Sequence, residues 1–304
     1  MTSTATRPAG TTSAATTLAL PGGDLELARH VAVMAIVNRT PDSFYDRGAT
    51  FALDAAIAAG VAAAEQGAEI VDVGGVRFAP GPPVPVAEEI ARVVPVVREL
   101  ATVTRVSVDT FRPEVARAAI EAGAAIVNDT TGLRDPAMAD VIASSGAGVV
   151  IAHSLAPPRT QHPLPRYDDV IGDVARFLIE RRELAREHGI PDSRIVLDPG
   201  HDLNKNTRQT LELTRRLDEL AGLGSALLMA LSNKDFVGES LDRERADRLA
   251  GSLAAAVYCV LHGARIVRAH NVRETVDAMR MVEAILGWRE PAYELHNTRP
   301  EGNV

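Results

Sequence analysis

The sequence predicts an α/β protein built as a single closed (β/α)8 barrel. A short β-branched apolar run, a polar glycine-rich break and a longer helical-period stretch recur eight times from Val31 onward. These units fill about 250 residues, the ordinary size of one such barrel, and no shift in composition divides them into two domains. An open doubly wound sheet shows the same alternation, but the count of eight argues against it. So does the lack of a Gly-x-Gly-x-x-Gly turn after the first run.

The strand candidates are residues 31–37, 69–73, 105–108, 124–127, 147–152, 194–197, 225–231 and 265–267. They read as continuous Val, Ile and Leu because the strands of a parallel sheet are covered on both faces, and the intervening helices impose right-handed crossovers. Helical patterns include residues 51–66, 88–100, 113–122, 168–188, 243–262 and 273–286. Pro113 opens the third of these, where a fixed φ and a missing N–H cost nothing. The predicted layout is a flexible N-terminal tail over residues 1–28, a barrel over 29–290 and a C-terminal tail over 291–304. The first 23 residues are mostly Thr, Ala, Ser and Gly, without the basic start and apolar block of a secretory signal.

Composition narrows the function. Lys plus Arg number 32 against 40 for Asp plus Glu, a net charge of −8, which argues against a nucleic-acid partner. No uncharged apolar run reaches the roughly 18 residues of a membrane span, so the expected location is cytoplasmic. The single cysteine, Cys259, forms no internal disulfide and reads as core packing.

Active sites of such barrels assemble at the C-terminal ends of the strands. Here those ends are Asn38, Asp72, Asp109, Asn128 with Asp129, His153, Asp198, Ser232 with Lys234, and Arg268 with His270. Any one of them serves as an ordinary turn or cap residue; their convergence on one rim predicts a site. Asp109, Asn128 and Asp198 supply acceptors for the amino and ring N–H groups of a flat heterocycle of pterin or purine type, and Lys234 supplies a donor. Arg268 and His270 alternate with Ala269 and point the same way, toward an anionic group such as phosphate. The loop from Asn38 through Pro41, Asp42, Ser43 and Phe44 offers oxygens to a hard cation such as Mg²⁺. Zinc on His153 and His270 with Asp109 or Asp198 is the competing idea, but the first strand lacks the His-x-His pair of metal hydrolases on this fold.

Other conspicuous residues receive plain readings. Glu88, Glu89, Arg181 and Arg182 read as solvated helix faces. Trp288 packs outside the barrel or against a partner subunit, and His30, His188 and His262 lie away from the strand ends.

Taken together and in order, the strand-end motifs resemble the dihydropteroate synthase family. Residues 38–44 (Asn-Arg-Thr-Pro-Asp-Ser-Phe) are similar to its Asn-Val-Thr-Pro-Asp-Ser-Phe loop. Asp-Val-Gly-Gly (72–75), Val-Ser-Val-Asp-Thr (106–110), Val-Asn-Asp (127–129) and Leu-Asp-Pro-Gly (197–200) follow, then Ser-Asn-Lys-Asp-Phe-Val-Gly (232–238), Gly-Ser-Leu-Ala-Ala (251–255) and Arg-Ala-His-Asn-Val (268–272). The resemblance implies a pterin against Asp109, Asn128, Asp198 and Lys234, with Ser232 in the same binding set. It places the diphosphate near Asn38, Arg268 and His270 and Mg²⁺ on Asn38, and gives the catalytic roles to Lys234, Arg268 and His270. It implies alkyl transfer from 6-hydroxymethyl-7,8-dihydropterin diphosphate to 4-aminobenzoate with release of diphosphate, and a homodimer formed through outer helices.

The sequence also departs from that pattern. After Asp-Val-Gly-Gly the family continues Glu-Ser-Thr-Arg-Pro-Gly, a loop over the reaction centre that helps form the aminobenzoate pocket. Here Val76, Arg77, Phe78, Ala79, Pro80 and Gly81 stand instead. Asn233 replaces an arginine, Asn271 an aspartate, Arg39 an apolar residue, residues 201–203 an Ile-Gly-Phe, and residues 152–156 a Met-His-Met-Gln-Gly. The pterin floor is kept and the lid is not, so the chain resembles diverged paralogues with weak or absent synthase activity. A catalytically inactive pterin-binding paralogue is the alternative. A pterin-binding methyltransferase domain comes last, because it has no use for an anion site at Arg268 and His270.

Overall fold

The computed structural model describes residues 17–40, 50–161 and 164–297. A short antiparallel pair, β1 (Thr17–Leu18) and β2 (Leu25–Glu26), precedes eight strands. These are β3 (Ala32–Asn38), β4 (Ile70–Gly74), β5 (Arg105–Asp109), β6 (Ile126–Asp129), β7 (Gly148–Ala152), β8 (Ile195–Asp198), β9 (Ala226–Ala230) and β10 (Ile266–Ala269). The eight close on themselves in the order β10-β3-β4-β5-β6-β7-β8-β9, every pair parallel. The closed barrel is the architecture expected from the eightfold alternation.

The helices are α1 (Leu53–Glu65), α2 (Val86–Leu100), α3 (Pro113–Glu121), α4 (Pro136–Ser145), α5 (Val170–Glu187), α6 (Thr207–Arg215), α7 (Leu217–Ala221), α8 (Asp235–Leu241), α9 (Leu249–Leu261) and α10 (Val272–Ile285). Asp135 caps α4 through the N–H of Ala137, with Pro136 in the first turn. Asn206 and Gln209 start α6 with a reciprocal capping box. The helix expected over residues 243–262 begins only at Leu249, because a 3-10 turn over Arg245–Asp247 precedes it. Among the described residues no helix is long and apolar enough to cross a membrane.

Strand alternation sorts the side chains into two cores. Val33, Ala35 and Val37 of β3, with Val71, Val73, Val106, Val108, Val149 and Ile151, join the layer between barrel and helices. Ala32, Met34, Ile70, Ile126, Val150, Val196, Leu228 and Ile266 form a separate interior cluster. That cluster is completed by Leu18, Leu20, Leu25 and Leu27. The expected N-terminal tail therefore needs correction: residues 17–28 are an apolar plug at the end of the barrel away from the strand C-termini. Alternating leucines spaced for a short hairpin explain why this stretch packs rather than staying solvated. Cys259 is buried, and burial pushes its thiol up to about 12, in keeping with a core role.

Arg39, directly after β3, ties that strand end to α2. Its guanidinium donates to the carbonyls of Ala91 and Arg92 at 3.0 and 2.8 Å and to that of Phe51 at 3.0 Å. Pro95 lies inside α2 and has no N–H for the carbonyl of Ala91 four residues earlier. Arg39 meets that carbonyl instead.

Candidate functional site

The same alternation decides which strand-end residues reach the mouth. Asn38 shares parity with inward-facing Met34, Asp109 with Ser107, Asn128 with Ile126, Asp198 with Val196, and Arg268 with Ile266. Ser232 and His270 continue the inward series of β9 and β10. A cavity of about 420 Å³ opens there, and Asn38, Asp109, Asn128, Asp198, Ser232, Lys234, Arg268 and His270 all line it. Every residue of the expected binding and catalytic set is thus on one rim.

Three of the polar strand ends do not line the cavity: Asp72, which is fully buried, and Asp129 and His153. Asp129 has outward parity, and its carboxylate caps its own loop, accepting from the N–H and hydroxyl of Thr131 at 2.8 and 2.7 Å and from the N–H of Leu133 at 2.9 Å. His153 also points outward, packing edge-on against Phe177 with ring centroids 4.8 Å apart. Its Nδ1 lies 2.9 Å from Lys205 Nζ. Burial and the neighbouring ammonium hold His153 down to about 2, so its ring is a neutral acceptor. The zinc set built on His153 has no common geometry in this fold. No group of three or more His, Cys, Asp or Glu among the described residues is arranged to hold a metal ion.

The floor is a charge network. Asp72 of β4 is fully buried and accepts from Arg268 Nε at 2.6 Å and from Asn128 Nδ2 at 3.0 Å, both at Oδ2. Arg268 also donates to Asp109 Oδ2 at 3.2 Å. Burial, then repulsion from Asp72, push the Asp109 carboxyl up to about 7, with Arg268 opposing. Burial also raises Asp198, against Lys234, and accepting the N–H of Gly200 at 2.8 Å works the other way. Lys234 is lowered by burial, with Asp202 and Asp198 opposing, and its ammonium donates to the carbonyl of His201. For Arg268 burial works downward, but Asp72 and Asp109 outweigh it and the guanidinium is held more firmly charged.

Glycines set the close approaches around this network. A Cβ on Gly74 would lie 3.1 Å from Asn38 Oδ1, and one on Gly200, at φ +68°, would strike the backbone oxygen of His153 at 2.1 Å. Behind Asp109, Glu89 accepts from the hydroxyl of Thr110 at 2.7 Å and from Arg112 at 2.9 Å. Glu89 is fully buried, which corrects its reading as part of a solvated face. The helical pattern alone did not reveal that the turn after β5 brings Thr110 and Arg112 down onto it.

Along the rim, Ser232 Oγ accepts from the backbone N–H of His270 at 3.2 Å and lies 3.1 Å from its Nδ1. Asn233 and Asn271, two of the departures noted in the sequence, are partners: Asn233 Nδ2 donates to Asn271 Oδ1 at 3.1 Å. A cationic and an anionic side chain of the family pattern are therefore replaced together by two amides. Sequence reasoning missed Lys205, which donates to the carbonyls of Gly200 and Leu203 at 3.0 and 3.1 Å. It thereby shapes the loop carrying Asp202 and Asn204 into the cavity wall. Its position seven residues after Asp198 was the available signal. Val76, Arg77, Phe78 and Ala79 form another wall.

For Mg²⁺ the described residues offer little. Asn38 supplies one neutral amide oxygen at the cavity, and Pro41, Asp42, Ser43 and Phe44 of the expected cation loop lie outside the described residues. Such a donor set suits a cation held mainly by substrate phosphates and water.

Comparisons with known proteins point to one family. The profile of the family described as "Pterin binding enzyme" matches residues 34–270. The chain is 47% identical over 267 residues to a protein of Mycobacterium leprae named inactive dihydropteroate synthase 2, covering 85% of this chain and 92% of that protein. It is 40% identical over 272 residues to the dihydropteroate synthase of Escherichia coli K12, covering 88% and 96%. The solved structure of Xanthomonas albilineans dihydropteroate synthase with 4-aminobenzoic acid superposes with a TM-score of 0.82 at 41% identity, covering 90% of this chain and 98% of that one.

Proposed function

The chain belongs to the pterin-binding enzyme family and is a homologue of dihydropteroate synthase, and from that premise we propose that it binds 6-hydroxymethyl-7,8-dihydropterin diphosphate and condenses it with 4-aminobenzoate only weakly. The observation that carries this reading is the separation of roles along one cavity: buried acceptors on the floor, cationic groups at the rim and an altered wall beside them. Asp109, Asn128 and Asp198 accept from the amino and ring N–H groups of the pterin, and Lys234 donates to its oxo group or ring nitrogen. Ser232 orients His270. Asn38, Arg268 and His270 face the diphosphate, Arg268 with its charge already shared between Asp72 and Asp109.

In the reaction the amine nitrogen attacks the methylene carbon, the carbon–oxygen bond to diphosphate breaks, and the nitrogen loses a proton. No covalent intermediate with the protein is needed. Lys234 holds the pterin in place, Arg268 and His270 offset charge gathering on the leaving group, and the cavity walls hold the amine in line. Mg²⁺, when bound with the diphosphate, would neutralise part of its charge; among the described residues Asn38 is the one that would touch it. The replaced wall at Val76–Ala79 is where catalysis loses ground, since a misplacement of about 1 Å costs roughly a hundredfold in rate.

A second reading, pterin binding without any chemistry, is favoured by the name of the Mycobacterium leprae relative. One experiment separates the two. Purified protein is incubated with the dihydropterin diphosphate, Mg²⁺ and 4-aminobenzoate, with binding followed by calorimetry and diphosphate by a coupled assay. Slow diphosphate release abolished by Lys234→Ala supports the first reading, binding with no release supports the second, and absence of pterin binding overturns both. Exposed Tyr258, Leu261, Met281 and Ile285 on the neighbouring helices α9 and α10 support a homodimer, to be tested by sedimentation. A cytoplasmic location completes the proposal, tested by cell fractionation.

A further inference from the structure

We propose that Arg159 is a positioning residue that straps the segment after β4 into place and thereby sets the second-ligand wall of the cavity. This rests on the reading above, in which the cavity takes a pterin and an aromatic amine. Residues 75–85 contain no helix or strand, yet Val76, Arg77, Phe78 and Ala79 line the cavity. A wall made of such a segment keeps its shape only if something outside the segment holds its backbone.

Arg159, on the long connection between β7 and α5, does so with main chain and side chain together. Its N–H donates to the carbonyl of Phe78 at 2.9 Å, and the N–H of Gly81 donates back to its carbonyl at 3.4 Å. Its guanidinium reaches across the same turn, Nη1 donating to the carbonyl of Ala79 at 2.9 Å. Nε and Nη2 donate to the carbonyl of Pro82 at 3.3 and 3.1 Å. One residue thus engages Phe78, Ala79, Gly81 and Pro82.

Two independent features fit this contact. Arg159 has φ +65°, a left-handed conformation that a residue with a side chain rarely adopts. Gly81 leaves room for the guanidinium, since a Cβ there would lie 2.1 Å from Nη2. Gly81→Ala need only push aside a flexible arginine tip, so that variant folds and loses the guanidinium's part of the strap. The strap holds carbonyls of the wall and none of Asp109, Asn128, Asp198 or Lys234. Its loss therefore falls on the amine and spares the pterin.

The test compares wild type, Arg159→Ala, Arg159→Lys and Gly81→Ala. Hydrogen–deuterium exchange of the ligand-free proteins is read at amides 76–83. Calorimetry is run with the dihydropterin diphosphate, then with 4-aminobenzoate on the pterin-loaded protein without Mg²⁺. In Arg159→Ala and Gly81→Ala the segment should exchange at least tenfold faster and the amine bind at least tenfold more weakly, with pterin affinity within twofold of wild type. All three variants keep the backbone pair, and Arg159→Lys, which keeps a cationic donor for one of these carbonyls and loses the planar guanidinium fork, should fall between. Unchanged exchange overturns the proposal, as does unchanged amine affinity, or a wild type that binds pterin and no amine. A wild type that binds no pterin defeats the proposed function, while the exchange comparison still decides the strap.

Discussion

Arg268 and Asp72 lie 196 residues apart and meet on the barrel floor, Nε donating to Oδ2 at 2.6 Å. Asp72 is fully buried, so no water relieves its charge when the partner is removed. Truncating one member of a buried pair costs more than the pair contributes, because the other charge is left uncompensated. Arg268→Met should destabilise the chain by about 3–5 kcal/mol in urea denaturation at neutral pH. A loss below about 1 kcal/mol would mean that Asp72 is not held by this pair.

The Asp109 carboxyl, raised to about 7 by burial and by Asp72, gives the proposed pterin site a pH dependence. Below that value it carries a proton and accepts poorly from ligand N–H groups; above it the ionised form accepts well. Pterin affinity should therefore fall by up to about tenfold per pH unit as pH drops below 7, and level off above it. The stability effect of the same residue has the opposite sense. Its unfolded value is about 3.9, so its contribution is complete below that pH and is lost as pH rises through 7. Calorimetry between pH 5.5 and 8.5 checks the first, and a flat profile in the wild type would refute it; Asp109→Asn should flatten it.

The fold was legible because both of its periods were present: β-branched runs for strands covered on two sides, and amphipathic stretches between them. The placement of the site was legible because a barrel sends strand ends to one rim, so the gathering of Asp109, Asn128, Asp198 and Arg268 followed from their positions at the strand ends. Two errors among the strand ends share one cause. Asp129 and His153 were grouped with the rim by position along the chain, whereas counting parity from Val127 and Ile151 puts both side chains outside. Other features depended on long-range contacts that no local pattern carries. The burial of Glu89 requires Thr110 and Arg112 to fold over it, and the hold of Arg159 on Ala79 joins loops 80 residues apart. The pairing of Asn233 with Asn271 was present in the sequence as two separate departures, and only their contact shows them to be one change.

The contact of Arg39 with the carbonyl of Ala91 exists because Pro95 leaves that carbonyl without its helical donor. Removing the guanidinium should cost about 1.5–3 kcal/mol, the range for a hydrogen bond from a charged donor. Pro95→Ala restores the N–H and makes the arginine partly redundant. In that background Arg39→Ala should cost about 1 kcal/mol less, measured as the coupling term of a double-mutant cycle. Additive effects would show that Arg39 supports α2 through its other contacts, at Phe51 and Arg92, rather than by replacing the missing bond.

Leu27 is fully buried in the interior cluster, beside barrel residues such as Met34 and Ile266, at the end opposite the site. Strand side chains alone leave that end of the barrel open, and the plug over residues 17–28 supplies the missing layer. Leu27→Ala should therefore cost about 2–5 kcal/mol, the range for a large-to-small change in a close-packed core. Pterin affinity, set at the far ends of the strands, should change little at a temperature where the variant remains folded. A cost near zero in denaturation would mean that the plug packs loosely. A matching loss of pterin affinity in the folded variant would mean that the two ends of the barrel are coupled through the strands.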